Sequence, residues 1–255
     1  MVKTKLEGMN LWYREDDRVI GQRIALDKYE KYETAIMMSQ ITKNEVVVDV
    51  GANIGYYTLL MAKRAKKVFS LEPDKEIFGI LKKNVEDNNL KNVVLLNFAA
   101  GDKKERKYLI KDKNNYGNSR ISDKKGVLTN CLRLDDILRN EQKISLIKVD
   151  TQGWEPAVME GAEKIINRDS PTMFLEYTPG EYKNNKMIKS LKSKYKYIWS
   201  INDFAEVPWP IYKGVKILGK AGYADLWLKK KMGIGDYLTM LKKVNYRKFF
   251  KGIMG

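Results

Sequence analysis

The sequence predicts an α/β protein with a mostly parallel sheet and helices on both faces, and two observations support this prediction. First, short apolar runs rich in β-branched residues alternate with stretches of helical periodicity along most of the 255 residues. This alternation is typical of strand–helix–strand units. Second, the valine-rich run 46–50 is followed by Gly51 and Gly55, and then by a helical stretch. We therefore expect a buried strand that ends in a glycine turn before a helix.

Seven strands are expected in this sheet. Their apolar runs cover 46–50, 67–72, 93–100, 144–150, 172–177, 196–201 and 224–230. Helices are expected over 55–65, 74–88, 155–167 and 184–194, where apolar residues recur at helical spacing. Two β-like pieces, 106–111 and 126–134, lie on either side of a polar loop, and residues 1–45 form a polar lead-in with strand and helix pieces.

The composition limits the classes of protein that fit. Hydrophobic residues make up 44% of the chain, which is enough for a sizeable core. The one cysteine, Cys131, excludes an internal disulfide and a zinc site built from several cysteines. Histidine is absent, so acid–base chemistry must use carboxylates, lysine, tyrosine or cysteine. Since no apolar run has the length of a signal-peptide core or a membrane span, a cytoplasmic location is expected.

Positive charge is concentrated at the end of the chain. The net charge is +16, and residues 211–255 hold eleven Lys and Arg against two Asp, which gives +9. Apolar residues alternate with the basic ones over 231–255, so this segment is expected to be a basic amphipathic extension. Such a segment can lie on an anionic membrane surface. The alternative is that it packs on its own domain or on a second subunit.

The residues after the first two strands predict the type of cofactor. Glu72 ends the second strand, where a carboxylate can accept both hydroxyls of a ribose. Enzymes that use NAD and enzymes that use S-adenosylmethionine share this feature. The loop DVGANIG lacks the second and third glycines that a dinucleotide pyrophosphate needs. Asp49, Gly51 and Gly55 form instead the acidic-GxxxG pattern that suits S-adenosylmethionine, which has no phosphate.

Two longer motifs resemble the FkbM family of methyltransferases. IKVDTQGWEPAVMEGAEKII, at 147–166, is similar to the family's signature segment, and VDVGANIGYYT is similar to its first motif. The resemblance runs from about residue 32 to residue 177. It implies a Rossmann-like seven-stranded sheet whose last strand is antiparallel. It also implies methyl transfer from S-adenosylmethionine to hydroxyl oxygens, on acceptors such as sugars, glycans and polyketides.

The resemblance also implies roles for individual residues. The cofactor-binding residues would be Asp49, Gly51, Asn53 and Gly55 at the methionine and ribose, Glu72 at the ribose, and Ala99 and Ala100 at the adenine. Asp150 and Gln152 would face the methyl group and the acceptor. Many relatives have Glu where this chain has Gln152, which places a role of residue 152 as base or metal ligand in question. The domains are then a lead-in packed on the core over 1–45, the methyltransferase domain over 46–230, and the extension over 231–255.

Catalysis is expected to depend on carboxylates at the end of the fourth and fifth main strands. An alcohol becomes a good nucleophile only when its proton leaves, so a base is needed. We expect Asp150 to be this base, with Glu176 assisting it or orienting the acceptor and Lys148 tuning Asp150. A divalent cation such as Mg²⁺, held by Asp150 and a second oxygen ligand, is a variant of this mechanism.

Structural alternatives remain for several of these residues. The two glycines could serve only a tight turn, and Glu72 could cap the helix that follows Pro73. Asp150 could cap the helix near Trp154. Glu176 could be an ordinary carboxylate at the sheet edge. Glu33 is expected on a solvated helix face, with contact to the cofactor's amino group as the alternative.

Two other functions also fit parts of the sequence. A nucleic-acid methyltransferase that acts on RNA would suit the charge of +16. Against it, the Asn/Asp-Pro-Pro-aromatic motif of amino-group methylation is absent, and DTQG follows the fourth strand instead. A non-catalytic module that binds S-adenosylmethionine is the second alternative.

Overall fold

The computed structural model describes residues 1–112, 116–178, 186–202, 205–210 and 224–236. The helices are α1 (Gly21–Ala25), α2 (Lys31–Ser39), α3 (Tyr56–Ala62), α4 (Lys75–Asp87), α5 (Leu134–Ile137), α6 (Glu155–Gly161), α7 (Glu163–Asp169) and α8 (Lys186–Lys194). The strands are β1 (Val2–Leu6), β2 (Met9–Tyr13), β3 (Val46–Val50), β4 (Lys67–Leu71), β5 (Val93–Leu96), β6 (Ala99–Ala100), β7 (Glu105–Ile110), β8 (Arg120–Ser122), β9 (Val127–Leu132), β10 (Ile144–Val149), β11 (Thr172–Tyr177), β12 (Tyr197–Asn202), β13 (Ala205–Pro210) and β14 (Ala224–Lys229).

The central sheet has the strand order β13-β12-β14-β11-β10-β3-β4-β5. Neighbouring strands from β11 to β5 are parallel, whereas β14 is antiparallel to both β11 and β12. The sheet therefore has eight described strands where the sequence predicts seven. The additional strand is β13, which forms an antiparallel pair with β12 at the sheet edge. The sequence does not predict β13 because its two prolines argue against a strand. At the edge of a sheet, however, a strand tolerates residues that lack an N–H donor.

The core lies on both faces of this sheet. Successive side chains of a strand point to opposite faces. Val46, Val48 and Val50 accordingly pack with helices α5 to α8 on one face, and Val47 packs with helices α1 to α4 on the other. Asp49 falls on the same face as Val47, at the end of β3. The prediction of helices on both faces of a mostly parallel sheet is therefore confirmed.

The run 93–100, predicted as one buried strand, is divided between two sheets. Residues 93–96 form β5, which is half-buried at the edge of the central sheet. Ala99 and Ala100 form β6, which joins a second sheet of order β6-β9-β7-β8. Between them, Asn97 Nδ2 donates hydrogen bonds to the carbonyls of Glu72 and Pro73, at 2.8 and 3.3 Å. These bonds hold the chain where it leaves the central sheet, which the apolar pattern alone does not show.

The predicted helix 155–167 is two helices, α6 and α7, which meet at Ala162. The last residue of α6, Gly161, lies against the backbone after β6. A Cβ atom on Gly161 would be 1.8 Å from the carbonyl oxygen of Gly101. This close approach requires glycine and fixes the end of α6 beside the second sheet.

The N-terminal residues are tied to the rest of the fold through Asn84 of α4. Strands β1 and β2 form an antiparallel hairpin. The backbone N–H of Trp12 donates to Asn84 Oδ1 at 2.6 Å, and Asn84 Nδ2 donates to the carbonyls of Trp12 and Ile54, at 2.9 and 2.7 Å. One buried amide therefore holds both the hairpin and the loop that contains the glycines.

Most of the predicted basic extension, 231–255, lies outside the described residues, which end at Asp236. The carboxylate of Asp236 accepts a hydrogen bond from Lys229 Nζ at 2.7 Å. Among the residues that the structure describes, no helix is both long enough and apolar enough to cross a bilayer.

Candidate active site

A cleft of about 280 Å³ opens at the carboxyl ends of β3, β4, β10 and β11. Eight of the ten predicted site residues line it, namely Gly51, Asn53, Glu72, Ala99, Ala100, Lys148, Asp150 and Glu176. Asp49 and Gly55 are not part of the lining. The lining also includes residues that the sequence did not indicate, among them Arg23, Tyr29, Glu30, Tyr57, Phe98, Leu109, Trp154 and Asp225. The fold thus brings most of the predicted residues to one place and adds others from both ends of the chain.

The glycine loop turns the chain back across the ends of β3 and β4. Gly51 and Gly55 have φ angles of +78° and +97°, and Asn53 between them has +50°. These left-handed conformations favour glycine and are tolerated by asparagine. Gly55 is the residue before α3, where a Cβ would be 2.7 Å from Leu81 Cδ1. It therefore shapes the loop from behind the cleft rather than lining it.

Glu72 holds the glycine loop from the neighbouring strand. Its Oε2 accepts a hydrogen bond from the Asn53 N–H and its Oε1 accepts one from the Asp74 N–H, both at 2.9 Å. The cap of α4 is Asp74, whose Oδ1 accepts from the N–H of Glu76 at 2.8 Å. The alternative that Glu72 caps this helix is therefore wrong. Burial raises the pKa of Glu72 to about 7.

Asp49 lies beneath the cleft and not on its wall. Its side chain is fully buried, and its Oδ2 accepts a hydrogen bond from Thr58 Oγ1 at 2.7 Å. Thr58 and Ser70 are also hydrogen-bonded, at 2.9 Å. Burial raises the pKa of Asp49, although Lys148 and Thr58 oppose this shift. The sequence predicts Asp49 at the cofactor, but the alternation of side chains along β3 points it toward α3 instead. There its carboxylate links β3 to Thr58 of α3, and Thr58 contacts Ser70 of β4.

The end of the cleft beyond Glu72 is apolar. Ala99 and Ala100 are buried in β6, and Phe98, Leu109 and Ile121 line the same cleft. Leu109 comes from β7 and Ile121 from β8, so the second sheet supplies this wall. Small and apolar side chains of this kind suit a flat heterocycle.

Asp150 and Lys148 form an ion pair at the end of β10. Lys148 Nζ donates a hydrogen bond to Asp150 Oδ2 at 3.1 Å. The lysine side chain is only 8% exposed, whereas that of Asp150 is 31% exposed and borders the cleft. Burial acts to raise the pKa of Asp150, but the charge of Lys148 and the hydrogen bonds to the carboxylate keep this pKa below its ordinary value. Asp150 is therefore ionised at neutral pH.

Gln152 joins Asp150 to Glu176. Its Nε2 donates hydrogen bonds to Asp150 Oδ1 at 3.1 Å and to Glu176 Oε2 at 3.0 Å. Burial, and then the negative charges of Asp150, Glu155 and Asp225, raise the pKa of Glu176 to about 10. At neutral pH, Glu176 is protonated while Asp150 carries the negative charge. The amide of Gln152 can supply both hydrogen bonds, which a glutamate at this position could not.

The loop that carries Asp150 is held by Glu155. Its Oε1 accepts from the N–H and the hydroxyl of Thr151, at 2.8 and 3.0 Å, and its Oε2 accepts from the Gly153 N–H at 3.1 Å. These bonds fix the positive φ angles of Gln152 and Gly153, +53° and +93°. The alternative that Asp150 caps α6 is wrong. The loop amides donate to Glu155, whereas the Asp150 carboxylate accepts from the side chains of Lys148 and Gln152 at the cleft.

Glu30 is a carboxylate of the cleft that the sequence did not indicate. It lies before α2 with a φ of +37°, and its Oε2 accepts a hydrogen bond from the Tyr57 hydroxyl at 2.7 Å. The prediction for this segment concerned Glu33, expected on a solvated face. Glu33 is instead 4% exposed and does not line the cleft. Because Glu30 precedes the helix, no periodic pattern marks it.

The oxygen atoms of this site do not fit a divalent cation. Across the described ranges, no group of three or more His, Cys, Asp and Glu is arranged to hold a metal. One oxygen of Asp150 faces Lys148 and the other faces Gln152. The ammonium group of Lys148 thus takes the place that a cation beside Asp150 would need.

A glycine loop after the first parallel strand and a carboxylate after the second define a class of α/β protein that binds a nucleoside-containing cofactor. Within this class, the chain belongs to the FkbM methyltransferase family. Residues 49–208 match the Methyltransferase FkbM domain, which confirms the resemblance seen in the sequence. The match includes all ten predicted site residues, whereas Glu30 and Asp225 lie outside it.

Similar proteins are found among solved structures and curated sequences. Methyltransferase FkbM from Methylobacillus flagellatus KT has a TM-score of 0.50 and 17% identity, over 75% of this chain and 47% of that chain. This similarity shows the fold. A probable ribosomal RNA small subunit methyltransferase A from Pyrococcus abyssi is 39% identical over 77 residues, which are 30% of this chain and 28% of the relative.

A third relative is a probable cobalt-precorrin-6B C(15)-methyltransferase (decarboxylating) from Methanocaldococcus jannaschii. It is 26% identical over 171 residues, 64% of this chain and 84% of the relative. The chain spans less than a third of the ribosomal RNA relative and about half of the FkbM structure. The names of these relatives differ in acceptor, and they agree only on methyl transfer.

Proposed function

We propose that the protein is an S-adenosylmethionine-dependent O-methyltransferase that acts on a hydroxyl group of a sugar, glycan or similar small molecule. The observation that carries this proposal is the ionised carboxylate of Asp150 beside the protonated Glu176, at the other end of a cleft from Glu72. A carboxylate in this position can accept the proton of a hydroxyl. The glycine loop, Glu72 and the apolar end of the cleft support cofactor binding in the rest of the cleft.

The cofactor is proposed to lie across the ends of β4, β3 and β10. Glu72 accepts the ribose hydroxyls, and Ala99 and Ala100 lie against the adenine. Gly51 and Asn53 of the glycine loop border the same cavity and would lie against the methionine and ribose parts of the cofactor. With the cofactor held in this way, its sulfonium would supply the methyl group at the end of the cleft that Asp150 lines.

Methyl transfer is then a single displacement. When bound, S-adenosylmethionine would supply a methyl group to the acceptor oxygen, with S-adenosylhomocysteine as the leaving group. The hydroxyl proton passes to Asp150. Because the pKa of Asp150 is low, the proton moves late, when the new bond has made the hydroxyl more acidic. Lys148 stabilises the charge on Asp150 before transfer, and protonated Glu176 can donate a hydrogen bond to the acceptor.

The charge of the cleft supports a cationic cofactor. Its lining holds five acidic side chains, Glu30, Glu72, Asp150, Glu176 and Asp225, and two basic ones, Arg23 and Lys148. Because Glu176 is protonated at neutral pH, four acidic groups remain against the two basic ones. The whole chain, in contrast, has a net charge of +16. A sulfonium ion is attracted to such a cleft, whereas a phosphate group at the acceptor position is repelled. An uncharged acceptor such as a sugar hydroxyl fits this field.

The second candidate function is RNA methylation. The chain's charge and the ribosomal RNA relative from Pyrococcus abyssi favour it. RNA would bind to basic surfaces outside the cleft, and its binding would weaken steeply with salt. A nucleotide of the RNA that entered the cleft would bring its phosphates near the acidic side chains there. This repulsion argues against RNA as the acceptor.

One experiment separates these functions. The protein is incubated with S-adenosylmethionine labelled in the methyl group and with panels of sugars, lipid-linked glycans, polyketides and RNA. Label in a hydroxyl acceptor, stable as a methyl ether, supports the proposed function. Label in RNA supports the second candidate. Cofactor binding without transfer to any acceptor indicates a non-catalytic binding module.

A further inference from the structure

We infer that Glu30 binds the α-ammonium group at the amino acid end of the cofactor. This inference rests on the proposed function, since it requires S-adenosylmethionine in the cleft. Glu30 lies outside residues 49–208, so the match to the family domain does not include it. The N-terminal segment would then complete the cofactor site.

The structure holds the Glu30 carboxylate rigidly against the cleft. Its Oε2 accepts the hydroxyl hydrogen of Tyr57 at 2.7 Å, and its φ of +37° is rare for a residue with a side chain. The ring of Tyr29 packs edge-to-face on Tyr56 at 4.9 Å, and Tyr56 packs in the same way on Tyr57 at 5.0 Å. The residue is therefore fixed to the first turn of α3.

A cation bound next to Glu30 would stabilise its negative charge. The charge of Lys148 lowers the pKa of Glu30, but Lys148 already donates a hydrogen bond to Asp150 at 3.1 Å. Arg23 donates instead to the carbonyl of Lys28 at 3.2 Å. Burial and the negative charge of Asp150 raise the pKa of Glu30, and Lys148 and the hydroxyls of Tyr57 and Tyr29 oppose this rise only in part. Its ionised form therefore gains from further stabilisation. An ammonium group with three N–H donors would supply this stabilisation.

The positions of Glu72 and Asp150 along the sheet edge suggest how the cofactor would lie in the cleft. Glu72 follows β4 and Asp150 follows β10, with β3 between them. Adjacent strands are about 4.8 Å apart, so these positions are about 10 Å apart. The charge of Asp150 is among the causes that raise the pKa of Glu30, and both residues line the same cleft. With the ribose at Glu72 and the sulfonium near Asp150, the amino acid end falls at Glu30.

Calorimetry with two ligands tests this assignment. S-adenosylhomocysteine carries the α-ammonium group, and its desamino analogue has hydrogen in that place. The unmodified protein should bind S-adenosylhomocysteine about ten- to one-hundred-fold more tightly than the analogue, as expected for a charge-assisted hydrogen bond. In Glu30→Gln this preference should shrink to a few-fold, because only the affinity for S-adenosylhomocysteine falls.

Two control variants separate this role from a general effect. Asp27→Asn changes an exposed carboxylate of the same segment and should keep the full preference. Glu72→Gln should weaken both ligands by the same factor. Equal affinity of the unmodified protein for both ligands would overturn the inference, even if Glu30→Gln did not fold. An unchanged preference in folded Glu30→Gln would also overturn it. If the unmodified protein bound neither ligand, the proposed function itself would fail.

Discussion

Gly51 of the glycine loop and the carbonyl oxygen of Asp150 are in direct contact. A Cβ atom on Gly51 would be 1.9 Å from that oxygen, and the Asp150 N–H donates to the carbonyl of Val50 at 3.1 Å. The loop proposed to bind the cofactor and the loop proposed to carry the base therefore share one contact. Any displacement of one loop must displace the other.

Replacing Gly51 tests this contact. Gly51→Ala puts a methyl group into the Asp150 carbonyl and places a side chain at a φ of +78°. We expect the free energy of unfolding to fall by about 2–4 kcal/mol, from backbone strain and overpacking together. Chemical denaturation measures this loss. Gly79→Ala is the matched control, because nothing lies within 4 Å of its Cβ position and it is exposed in α4. The control should be stabilised by up to about 1 kcal/mol, and similar losses in both variants would contradict the contact.

Glu72 should determine cofactor affinity and its dependence on pH. We expect S-adenosylhomocysteine to bind with a micromolar Kd, about −8 kcal/mol. Glu72→Ala should weaken binding at least about tenfold, because two ribose hydroxyls lose a charged acceptor.

The pH dependence follows from the pKa of Glu72, which burial raises to about 7. The carboxylate becomes protonated as the pH falls through this value, so affinity should decrease from pH 8 to pH 6. In Glu72→Gln this dependence should become weaker, and Glu76→Ala, at an exposed carboxylate of α4, should behave like the unmodified protein. Calorimetry at three pH values measures these differences. Equal affinity in Glu72→Ala and the unmodified protein would remove Glu72 from the site.

Asp150→Asn should separate catalysis from binding. The substitution keeps the shape of the side chain and its contact with Gln152, but it removes the negative charge that accepts the proton. We expect turnover to drop by about 10²–10⁴-fold, with little change in cofactor affinity. Rates of label transfer and calorimetry measure the two effects, and Asp136→Asn, at an exposed position of α5, is the control. Unchanged turnover on the true acceptor would falsify the role of Asp150 as base.

Glu176 should make the protein less stable at high pH. Its pKa rises from an ordinary value of 4.5 to about 10 in the folded protein. The stability that comes from its protonated form is complete below pH 4.5, and it is lost progressively as the pH rises toward 10. Glutamine imitates the protonated side chain, so Glu176→Gln should raise Tm more at pH 9 than at pH 5. Thermal unfolding at both pH values measures this, with the exposed Glu86→Gln as control. A Tm difference that is the same at both pH values would argue against a raised pKa.

The basic extension should bind anionic membranes. Beyond the described residues its apolar residues include Leu238, Leu241, Phe249, Phe250, Ile253 and Met254, and its five basic residues are Lys242, Lys243, Arg247, Lys248 and Lys251. Each basic group near an anionic surface contributes about 1 kcal/mol. The full chain should float with anionic vesicles at low salt, and truncation after Gly233 should abolish this. Full-length protein that does not bind such vesicles at low salt would indicate that the extension packs on its own domain or on a second subunit.

The main features of the fold could be predicted from the sequence because they depend on local patterns. The valines of β3 and the spacing of Gly51 and Gly55 determine a buried strand, a turn and a helix in that order. Strands whose apolar runs are continuous, such as β10 and β11, were placed to within a residue. Where prolines or a short polar break interrupt the pattern, as in β13 and at Asn97, the prediction failed.

Sequence patterns alone place Glu72, Asp150 and Glu176 at or just beyond the ends of parallel strands, and parallel strands bring their carboxyl ends to one edge of a sheet. Such patterns could not determine which carboxylate is charged, because that depends on the distance to Lys148 and on the depth of burial. Only the tertiary structure shows that Asp49 lies beneath the cleft and that Glu155 accepts the hydrogen bonds of the loop after Asp150. It also brought Glu30 to the cleft from a segment 120 positions before Asp150, since side chains distant in sequence meet only when the layers of the fold have packed.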